Sequence, residues 1–454
     1  MFKENIYISR RKKLSNQINE GMILLPGNMP VPMNYPSNTL RFRQDSNFLY
    51  YCGLDYPNLT TVIDAANGET TLFGDDLEVD DIVWEGERVT VNKMAESAGI
   101  DHIEKNSLLP KFLSNVNRVH TLPAYREDQK SFLRSILDSQ NFSSSKELIV
   151  HVIKQRSIKS DEEVYEIERA LEVTAEMHKI AMKHTRDGVK EQVIVGKMEG
   201  YALERGHGMA YPAIFTIHGE ILHNNIYDNT MKSGQLALND SGSESPLHYA
   251  SDITRTFPVS GSFSDTQKQL YSLVYEMQEV ALAHCKPGIS YKEAHLASAK
   301  KAVDGLIDIG LMRGSSEDAV SQGAHALFFP HGLGHMLGLD VHDMEGLGED
   351  LVGYDDGSNR SDQFGLAYLR LSKDLEPGFV LTVEPGIYFI PHLIAKWKND
   401  KKHSSFINYD ALSHFKNFGG IRIEDNILIT DDGYRMLGPA IPKTVDDIES
   451  LMRS

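Results

Sequence analysis

The sequence predicts two domains: a mixed α/β domain over residues 1–156 and an α+β domain over residues 157–454. Three observations support this division. The chain has 454 residues, which is more than a single compact domain usually contains. Short apolar strands alternate with helical segments before residue 156. Long amphipathic helices, followed by β-rich segments, dominate the rest of the chain.

Strand-like runs with turn signals between them mark the first domain. The run GMILLPG at 21–27 is short, apolar and bounded by glycines, which is typical of a buried strand. The segment TTVIDAANGETTLF at 60–73 contains two such runs joined through Asn67-Gly68, a dipeptide that favours β-hairpins. We expect ELIVHVIKQ at 147–155 to form the last strand. No convincing cluster of catalytic residue types is found in this part of the chain.

Two capping boxes mark the starts of long helices in the second domain. Ser160 with Glu163, and Ser264 with Gln267, have the spacing at which each side chain bonds the other residue's backbone N–H. Apolar residues then recur at three- and four-residue intervals after Ser160, which predicts one buried face of a long helix. The second helix is expected to stop before the KPG at 286–288.

Five segments after residue 210 are predicted to be strands, because β-branched and aromatic residues lie between glycines or prolines. They are IFTIHGEILHNN, GQLALND, ASDITRTFPVSG, FVLTVEPGIYFI and GGIRIEDNILI. The second domain is therefore predicted to be a β-rich core flanked by helices.

Composition and charge exclude several classes of protein. Hydrophobic residues make up 41% of the chain and charged residues 24%, which excludes a disordered protein. The net charge of −18 argues against nucleic acid as a partner, because such binding needs basic surface. Cys52 and Cys285 are too few for a disulfide framework or a cysteine-based zinc site. With no N-terminal h-region and no apolar run of roughly 20 residues, we expect no membrane association and a cytoplasmic location.

Three carboxylates follow apolar β-runs in the second domain. Asp240 ends LALND, Glu384 ends FVLTVE and Glu424 ends GGIRIE. A carboxylate on a buried strand is costly unless it is paired or binds a metal ion. Asp252 lies 12 positions after Asp240, beyond a turn-rich segment, and a hairpin of that length can bring the two together. His335, in HGLGHMLGLDVHD, completes a set of five candidate metal ligands.

The donor atoms of the five candidate ligands limit the choice of metal ion and the type of reaction. Four carboxylates and one imidazole, with no sulfur, favour Mn²⁺ over a thiolate-type zinc site, with Co²⁺ or Zn²⁺ as alternatives. Four negative charges are neutralised by two divalent ions. Two adjacent ions can activate a water molecule and polarise a carbonyl group, which is hydrolysis chemistry.

Four histidines accompany these carboxylates: His223, His331, His335 and His342. His331 and His335 have i, i+4 spacing, but the GLG between them is a poor helix interior. We therefore expect a loop or strand edge here, not the helical H-E-x-x-H zinc signature. A single one of these carboxylates, taken alone, is better explained as a solvated surface charge. The histidine spacing alone is weak evidence, because 18 histidines give such pairs by chance.

Several segments resemble the signatures of the proline-specific metallopeptidases, the Xaa-Pro dipeptidases (prolidases) and Xaa-Pro aminopeptidases (aminopeptidase P). They are HGLGHMLGLDVHD, LTVEPGIYF, YASDITRTFPVSG and GGIRIEDNILIT, with FRQDSNFLYYCGLD at 42–55 resembling the family's N-terminal domain. The likeness covers nearly the whole chain. It implies a pita-bread metallopeptidase domain over 157–454 and an aminopeptidase P/creatinase-like α/β domain over 1–156.

The resemblance also implies a role for each metal ligand. Asp240 would bind one ion, Asp252 and Glu424 would bridge both, and His335 and Glu384 would complete the site of the second ion. The spacing from Asp240 to Asp252 is one position longer than in many aminopeptidases P. This departure falls in the turn and puts the turn's shape in doubt, not the ligands.

Catalytic and substrate-binding residues are implied in the same way. His331 and His342 match histidines that contact the substrate carbonyl and steady the tetrahedral intermediate. Glu384 is expected to accept the proton of the attacking water. His223 matches a histidine near the substrate and Arg422 an arginine behind the ligands, and we group both with the substrate-binding residues.

Arg370 bears on which branch of the family this chain resembles. It lies in GLAYLRLSKDLEPG, 14 positions before Glu384. This segment resembles the prolidase segment whose arginine holds the substrate's C-terminus. A guanidinium suits that carboxylate because of its bidentate fork. The alternative is a surface arginine beside Asp374. We therefore predict an Xaa-Pro dipeptidase, with an Xaa-Pro aminopeptidase acting on longer peptides as the alternative.

The resemblance further implies small peptides with proline at the second position as partners, and a homo-oligomer, either a dimer or a tetramer. Three other functions are considered. The complete ligand set argues against a binding module that has lost its metals. A metal-free hydrolase of the creatinase type would not need four facing carboxylates. The HGLGH context and residues 1–150 argue against a methionine aminopeptidase.

Overall fold

The computed structural model describes residues 1–137, 144–355 and 357–454 of the chain. Two units are distinguished within it. The first contains Met1–Arg156 and Glu345–Gly348, and the second contains Ser157–Met344 and Glu349–Ser454. None of the described helices combines the length and apolar character needed to cross a membrane.

A five-stranded sheet forms the centre of the first unit. Its strands are β1 Met22–Pro26, β2 Thr60–Asp64, β3 Thr70–Phe73, β4 His102–Glu104 and β5 Val119–Thr121, in the order β4-β3-β2-β1-β5. The three central strands are antiparallel, whereas β4 and β5 pair in parallel at the edges. The helices are α1 Glu4–Ile18, α2 Ser46–Cys52, α3 Val79–Glu85, α4 Val91–Ala98, α5 Leu109–Leu113, α6 Glu127–Ile136 and α7 Lys146–Ser157.

The predicted hairpin at 60–73 is confirmed. Thr60 pairs with Phe73 and Ile63 with Thr70, so the register closes on the Asn67-Gly68 turn. Gly68 has φ 81°, a left-handed conformation that glycine adopts at little cost. The alternation of the strands buries Val62 and Phe73 in one core cluster.

The expected strand at 147–155 is wrong, because these residues lie in α7. Leu148, Ile149, Val152 and Ile153 are all buried. Their spacing of one, three and one positions follows a helical face rather than the strict alternation of a half-buried strand. A short apolar run is compatible with a strand or a buried helix, and here the helical spacing of the buried residues accounts for the difference.

Long helices enclose the second unit. They are α8 Asp161–His184, α9 Glu191–Arg205, α10 Asp265–His284, α11 Tyr291–Asp308, α12 Ser316–Ser321, α13 Glu349–Gly353, α14 Pro391–Asn399 and α15 Val445–Arg453. Both predicted capping boxes are present, with Ser160 and Glu163 at the start of α8 and Ser264 and Gln267 at the start of α10. Helix α8 packs against α9 and α10 against α11.

Short strands make the interior of the second unit. They are β6 Ile214–Thr216, β7 Leu236–Asp240, β8 Thr254–Pro258, β9 Val380–Val383, β10 Gly386–Tyr388, β11 Gly420–Arg422, β12 Asp425–Ile429 and β13 Tyr434–Met436. They form the sheets β6-β7-β8, β13-β12-β9 and β10-β11, in which each neighbouring pair is antiparallel. All residues of β7, β8 and β9 are buried, so polar groups on these strands need partners.

The predicted strand IFTIHGEILHNN is only half right. Residues Ile214–Thr216 form β6, but the chain then turns, with Ile221 N–H donating to the His218 carbonyl. Gly219 lies so close to the backbone of Gly420 that a Cβ there would be 2.7 Å from its carbonyl oxygen. The segment leaves the sheet here, and His223 follows on the turn rather than on a strand.

Candidate metal and catalytic centre

Asp240 and Asp252 come from one hairpin. Asp240 is the last residue of β7 and pairs with Thr254 of β8, and Asp252 lies two residues before β8. The hydroxyl of Tyr211 lies 2.7 Å from Oδ1 of Asp240 and also contacts Oδ1 of Asp252. One phenol therefore bridges the two carboxylates.

Glu384 and Glu424 come from a second sheet and leave it at the same end. Glu384 directly follows β9 and Glu424 directly precedes β12, and Asp425 pairs with Val383 between these antiparallel strands. Thr254 joins this sheet to the first. Its carbonyl oxygen accepts from Glu424 N–H at 3.0 Å, and its Oγ1 donates to Glu424 Oε2 at 2.7 Å.

His335 reaches the four carboxylates from an extended segment alongside β9. Its backbone N–H donates to Thr382 Oγ1 at 3.2 Å, and its carbonyl oxygen accepts from Thr382 N–H at 3.0 Å. Nδ1 lies 3.0 Å from the carbonyl oxygen of Met336, which assigns the ring proton to that nitrogen. Nε2 is then left facing Asp252 Oδ2 at 3.4 Å and Glu384 Oε1 at 3.7 Å. A neutral imidazole oriented this way is a typical metal ligand.

The donor set fits divalent cations. Asp252, His335 and Glu424 each offer a ligand atom within 4.8 Å of the others, and all three are buried. Glu424 Oε1 is buried and has no hydrogen-bond partner among the described residues. An orphaned carboxylate oxygen aimed at other ligand atoms is costly unless a cation compensates it.

Electrostatics supports the same conclusion. Burial raises the pKa of Asp252, Glu384 and Glu424 well above the ordinary carboxyl values. Mutual repulsion raises each pKa further, with Asp240 acting on Asp252, Glu424 on Glu384 and Asp252 on Glu424. Like charges this close are not all ionised without added positive charge, and two divalent cations would supply it.

Arg422 lies behind Asp240. Its Nη2 donates to Asp240 Oδ2 at 2.5 Å, its Nε to Thr254 Oγ1 at 3.1 Å and its Nη1 to the Tyr388 hydroxyl at 3.0 Å. Arg422 is buried. Each carboxylate oxygen of Asp240 therefore has a hydrogen-bond partner, Tyr211 on Oδ1 and Arg422 on Oδ2. The arginine thus fixes a candidate ligand, in addition to lining the cavity described below.

His331 is a neutral acceptor in this arrangement. Nδ1 lies 2.7 Å from the Gly332 carbonyl oxygen, and Nε2 lies 2.8 Å from the Tyr388 hydroxyl. Because Arg422 already donates to that hydroxyl oxygen, the Tyr388 proton points to Nε2. Burial, with the charge of Arg422, lowers the pKa of His331 to about 3. To donate to a substrate, as the sequence predicts, His331 must first exchange its bond to Tyr388.

Three further predicted residues, His342, His223 and Arg370, differ in their surroundings. The His342 ring packs against that of His335, with ring centroids 4.2 Å apart at an interplanar angle of 61°. His223 is exposed on the turn after β6, and partial desolvation followed by the charge of Arg422 lowers its pKa. Arg370 is partly exposed, and its Nη1 lies 3.5 Å from Glu349 Oε2. Arg370 therefore has a carboxylate neighbour other than the Asp374 considered from the sequence.

All ten predicted site residues line one cavity of about 850 Å³ in the second unit. They are His223, Asp240, Asp252, His331, His335, His342, Arg370, Glu384, Arg422 and Glu424. Other lining residues were not predicted, among them Tyr211, Phe364, Tyr368 and Lys396. Tyr211 precedes β6 by three residues, and only the pairing of Ile214 with Asp240 reveals that it reaches the carboxylates.

Comparisons with known proteins identify the family to which the chain belongs. The family model described as metallopeptidase family M24 matches residues 165–431, and the model described as aminopeptidase P, N-terminal domain, matches residues 7–122. The chain is 31% identical to human Xaa-Pro dipeptidase over 98% of its length and 93% of that protein. It is 32% identical to a probable Xaa-Pro aminopeptidase of Fusarium vanettenii, over 97% of this chain and 94% of the relative. Its structure is similar to that of Escherichia coli aminopeptidase P, with a TM-score of 0.83, 29% identity and coverage of 100% and 98% of the two chains.

Proposed function

The chain belongs to metallopeptidase family M24, with the pita-bread fold and its N-terminal domain, and from this premise we propose that it is an Xaa-Pro dipeptidase. The family makes it a metal-dependent hydrolase, which confirms that part of the sequence prediction. Relatives named as dipeptidases and as aminopeptidases are equally similar to it. The preference for dipeptides is therefore proposed from the site and not from the similarity.

We propose two divalent ions, Mn²⁺ by preference, held by Asp240, Asp252, His335, Glu384 and Glu424. The absence of sulfur among these donors supports a hard cation over a thiolate-type zinc site. When bound, such ions would lower the pKa of a water molecule and polarise the scissile carbonyl group. The raised pKa values of Asp252, Glu384 and Glu424 support a cluster that needs cations for full ionisation.

Side chains that line the cavity carry out the proton transfers of the proposed reaction. Glu384 accepts the proton of the attacking water on a carboxylate oxygen, because it lies beside the ligands and lines the cavity. His342 donates from a ring nitrogen to the oxygen on which negative charge develops. The proline nitrogen must gain a proton to leave, and protonated Glu384 supplies it. His223 and Arg422 also line the cavity in which the substrate would bind.

Arg370 is the single observation that carries the dipeptide preference. It lines the same cavity as the five candidate ligands. A dipeptide places its proline carboxylate close to the scissile bond, and a guanidinium can hold that carboxylate by two hydrogen bonds. Its neighbour Glu349, at 3.5 Å, is far enough to be replaced by a closer bidentate partner.

A substrate panel with three proteins tests the proposal. Gly-Pro, Ala-Pro, Gly-Pro-Xaa tripeptides and a longer Xaa-Pro peptide are assayed with added Mn²⁺, using wild type, Arg370→Ala and Lys396→Ala. Lys396 is another cation lining the cavity and is the matched control. A bound dipeptide would cover the partly exposed Arg370, and loss of a charge partner that is buried in a complex costs about 2–5 kcal/mol. Arg370→Ala should therefore lose roughly 30- to several-thousand-fold in kcat/KM for Gly-Pro but spare the tripeptide.

The alternative is an Xaa-Pro aminopeptidase, which the structural similarity to E. coli aminopeptidase P favours. It predicts that wild type prefers the longer peptides and that Arg370→Ala affects both substrate classes equally. That outcome would replace the dipeptidase assignment. No hydrolysis of any Xaa-Pro peptide would contradict both.

We also propose a homo-oligomer. Helix α3 has no buried residue, and Val79, Val83 and Trp84 are 74%, 73% and 87% exposed. Three large apolar side chains exposed on one short helix support an interface there, because extended apolar surface is uncommon on monomers. Light scattering should give a dimer or tetramer for wild type and a smaller species for a Val83→Ser/Trp84→Ser variant. A wild-type monomer at micromolar concentration would contradict this proposal.

A further inference from the structure

A buried ion pair lies one residue from His342. Lys159 Nζ is 2.8 Å from Asp343 Oδ2, and each side chain is 1% exposed. The two residues are 184 positions apart in the chain, and both belong to the second unit. Neither lines the catalytic cavity, so the pair does not contact a substrate there.

Such a pair is not explained by stability alone. Removing two charges from water carries a desolvation cost that their attraction often only offsets, and well-packed apolar residues of similar volume serve stability as well. What this ion pair adds is a fixed position for the carboxylate, because a charge-assisted hydrogen bond of 2.8 Å between two buried groups is stronger than a neutral one. The geometry that this pair fixes is therefore informative.

Both partners are anchored by their backbones. Lys159 N–H donates to the Gly378 carbonyl at 2.9 Å, just before the N-cap of α8. Asp343 N–H donates to the Met336 carbonyl at 2.9 Å, and its Oδ1 accepts from Asp340 N–H at 3.3 Å. The loop from Met336 to Asp343 thus closes around the carboxylate that Lys159 holds.

Gly338 shows how closely the loop packs on the pair. A Cβ at this position would lie 2.5 Å from Asp343 Oδ2 and 2.9 Å from Lys159 Cε. The carbonyl of Gly338 accepts from Ala250 N–H at 2.8 Å, two residues before the candidate ligand Asp252. The loop is therefore held from both sides, by the ion pair and by the segment that carries a metal ligand.

We propose that Lys159 is a positioning residue: by holding Asp343 it fixes the adjoining His342 ring at its place beside His335, where it faces the cavity. The proposal rests on the proposed function, in which His342 donates to the developing oxyanion. The ring is 4.2 Å from that of His335 and is attached to the residue next to the anchored carboxylate. Because such a donor acts mainly in the transition state, its misplacement lowers kcat more than it raises KM.

A double-mutant cycle tests this coupling. Lys159→Met keeps the length of the side chain and removes its charge. We expect kcat for Gly-Pro to fall about 10- to 100-fold, with KM changed less than about threefold and metal content unchanged. In a His342→Ala background the same substitution should change kcat less than about threefold, because the group it positions is already absent. Equal losses in both backgrounds, or no loss in wild type, would overturn the proposal.

Two further variants keep the proposal falsifiable. Leu306→Ala truncates a buried residue of α11 outside the cavity, and it should lower the melting temperature without this background dependence. Asp343→Asn removes the carboxylate's negative charge while keeping the shape of the side chain, and it replaces Lys159→Met if that variant does not fold.

The second measurement does not depend on turnover. In the Zn²⁺-loaded protein with labelled histidines, Lys159→Met should shift the His342 imidazole signal and leave that of exposed His414 unchanged. An unmoved His342 signal would contradict the proposal. If wild type hydrolyses no Xaa-Pro peptide, the proposed function fails, and this measurement alone decides the role of Lys159.

Discussion

The guanidinium of Arg422 donates from Nη2 to Oδ2 of Asp240 at 2.5 Å, and both side chains are buried. Since Tyr211 occupies the other side of that carboxylate, Asp240 has little freedom to turn away from the centre of the cavity. A ligand oriented in this way loses metal affinity when its support is removed, even though the ligand itself is intact.

Arg422→Met should therefore weaken metal binding about 10- to 100-fold. Isothermal titration with Mn²⁺ measures the effect. Arg435→Met is the control, because Arg435 pairs with Glu168 at the surface, where an ion pair contributes little. Unchanged affinity in Arg422→Met would show that Asp240 is held without the arginine.

Replacing a proposed bridging ligand should abolish the binding of both metal ions. Glu424→Ala is expected to bind neither ion, because one carboxylate serves both in the proposed site. Elemental analysis after gel filtration measures occupancy directly. Glu449→Ala removes a buried carboxylate that accepts from Phe263 N–H outside the cavity, and it should retain full occupancy. Full occupancy in Glu424→Ala would defeat the bridging assignment.

Histidines proposed as donors should be dispensable for metal binding. His331→Ala and His342→Ala are expected to keep both ions and to lose roughly 10²–10³ in kcat. Exposed His414→Ala is the control for both variants. If His342→Ala lost one ion while its melting temperature stayed near normal, the division between ligands and donors would be wrong.

Tyr388→Phe examines the bond that keeps His331 an acceptor. It removes the hydroxyl 2.8 Å from Nε2 and should raise the pKa of His331 toward its ordinary value only in part, since burial is the main cause of the depression. Histidine NMR titration of the wild type and the variant measures this change. No movement would mean that burial and Arg422 alone set the protonation state.

His178 should make stability depend on pH. It is fully buried, and burial with the charge of Arg255 lowers its pKa from 6.5 to about 4. The unfolded chain then binds the proton more tightly, so the stabilisation is complete above pH 6.5 and is lost as pH falls toward 4. Between pH 7.5 and pH 5 the free energy of unfolding should fall by about 2 kcal/mol from this group.

Denaturant titrations of wild type and His178→Gln at both pH values isolate that contribution. The buried carboxylates have raised pKa values and act in the opposite direction, but they are common to both proteins and cancel in the difference. An equal pH response in the two proteins would show that His178 is not the titrating group.

Gly338→Ala should reduce turnover, because its Cβ would lie 2.5 Å from the Asp343 carboxylate. Gly196→Ala is the matched substitution, since Gly196 lies in α9 with no atom within 4 Å of the added methyl group. In that helix alanine should stabilise by about 0.5–1 kcal/mol without changing kcat. Equal kcat in both variants would show that the loop tolerates displacement of the ion pair.

The candidate metal ligands could be singled out from the sequence because their chemistry conflicts with their surroundings. Asp240, Glu384 and Glu424 each end an apolar β-run, and a carboxylate there needs a cation. The antiparallel pairing of β9 with β12 then brings Glu384 and Glu424 to the same sheet end. A local pattern and a physical cost were sufficient for these positions.

Other features depend on contacts that no local pattern records. Tyr211 lies in an ordinary loop, and its bridge between two aspartates follows from strand pairing. Lys159 and Asp343 are 184 positions apart, so their pairing is invisible in either segment. The α7 helix was mistaken for a strand for a different reason, because a short apolar run does not reveal its period reliably.

The spread of the ligands from Asp240 to Glu424 has a consequence for synthesis of the chain. Glu424 bonds Thr254, 170 positions earlier, and this contact joins the two sheets that carry the ligands. A chain growing on the ribosome cannot make that contact until Glu424 has been added, 170 positions after Thr254. The nascent protein therefore carries the first candidate ligands for a long stretch of synthesis without the residue that joins the two sheets and completes the set.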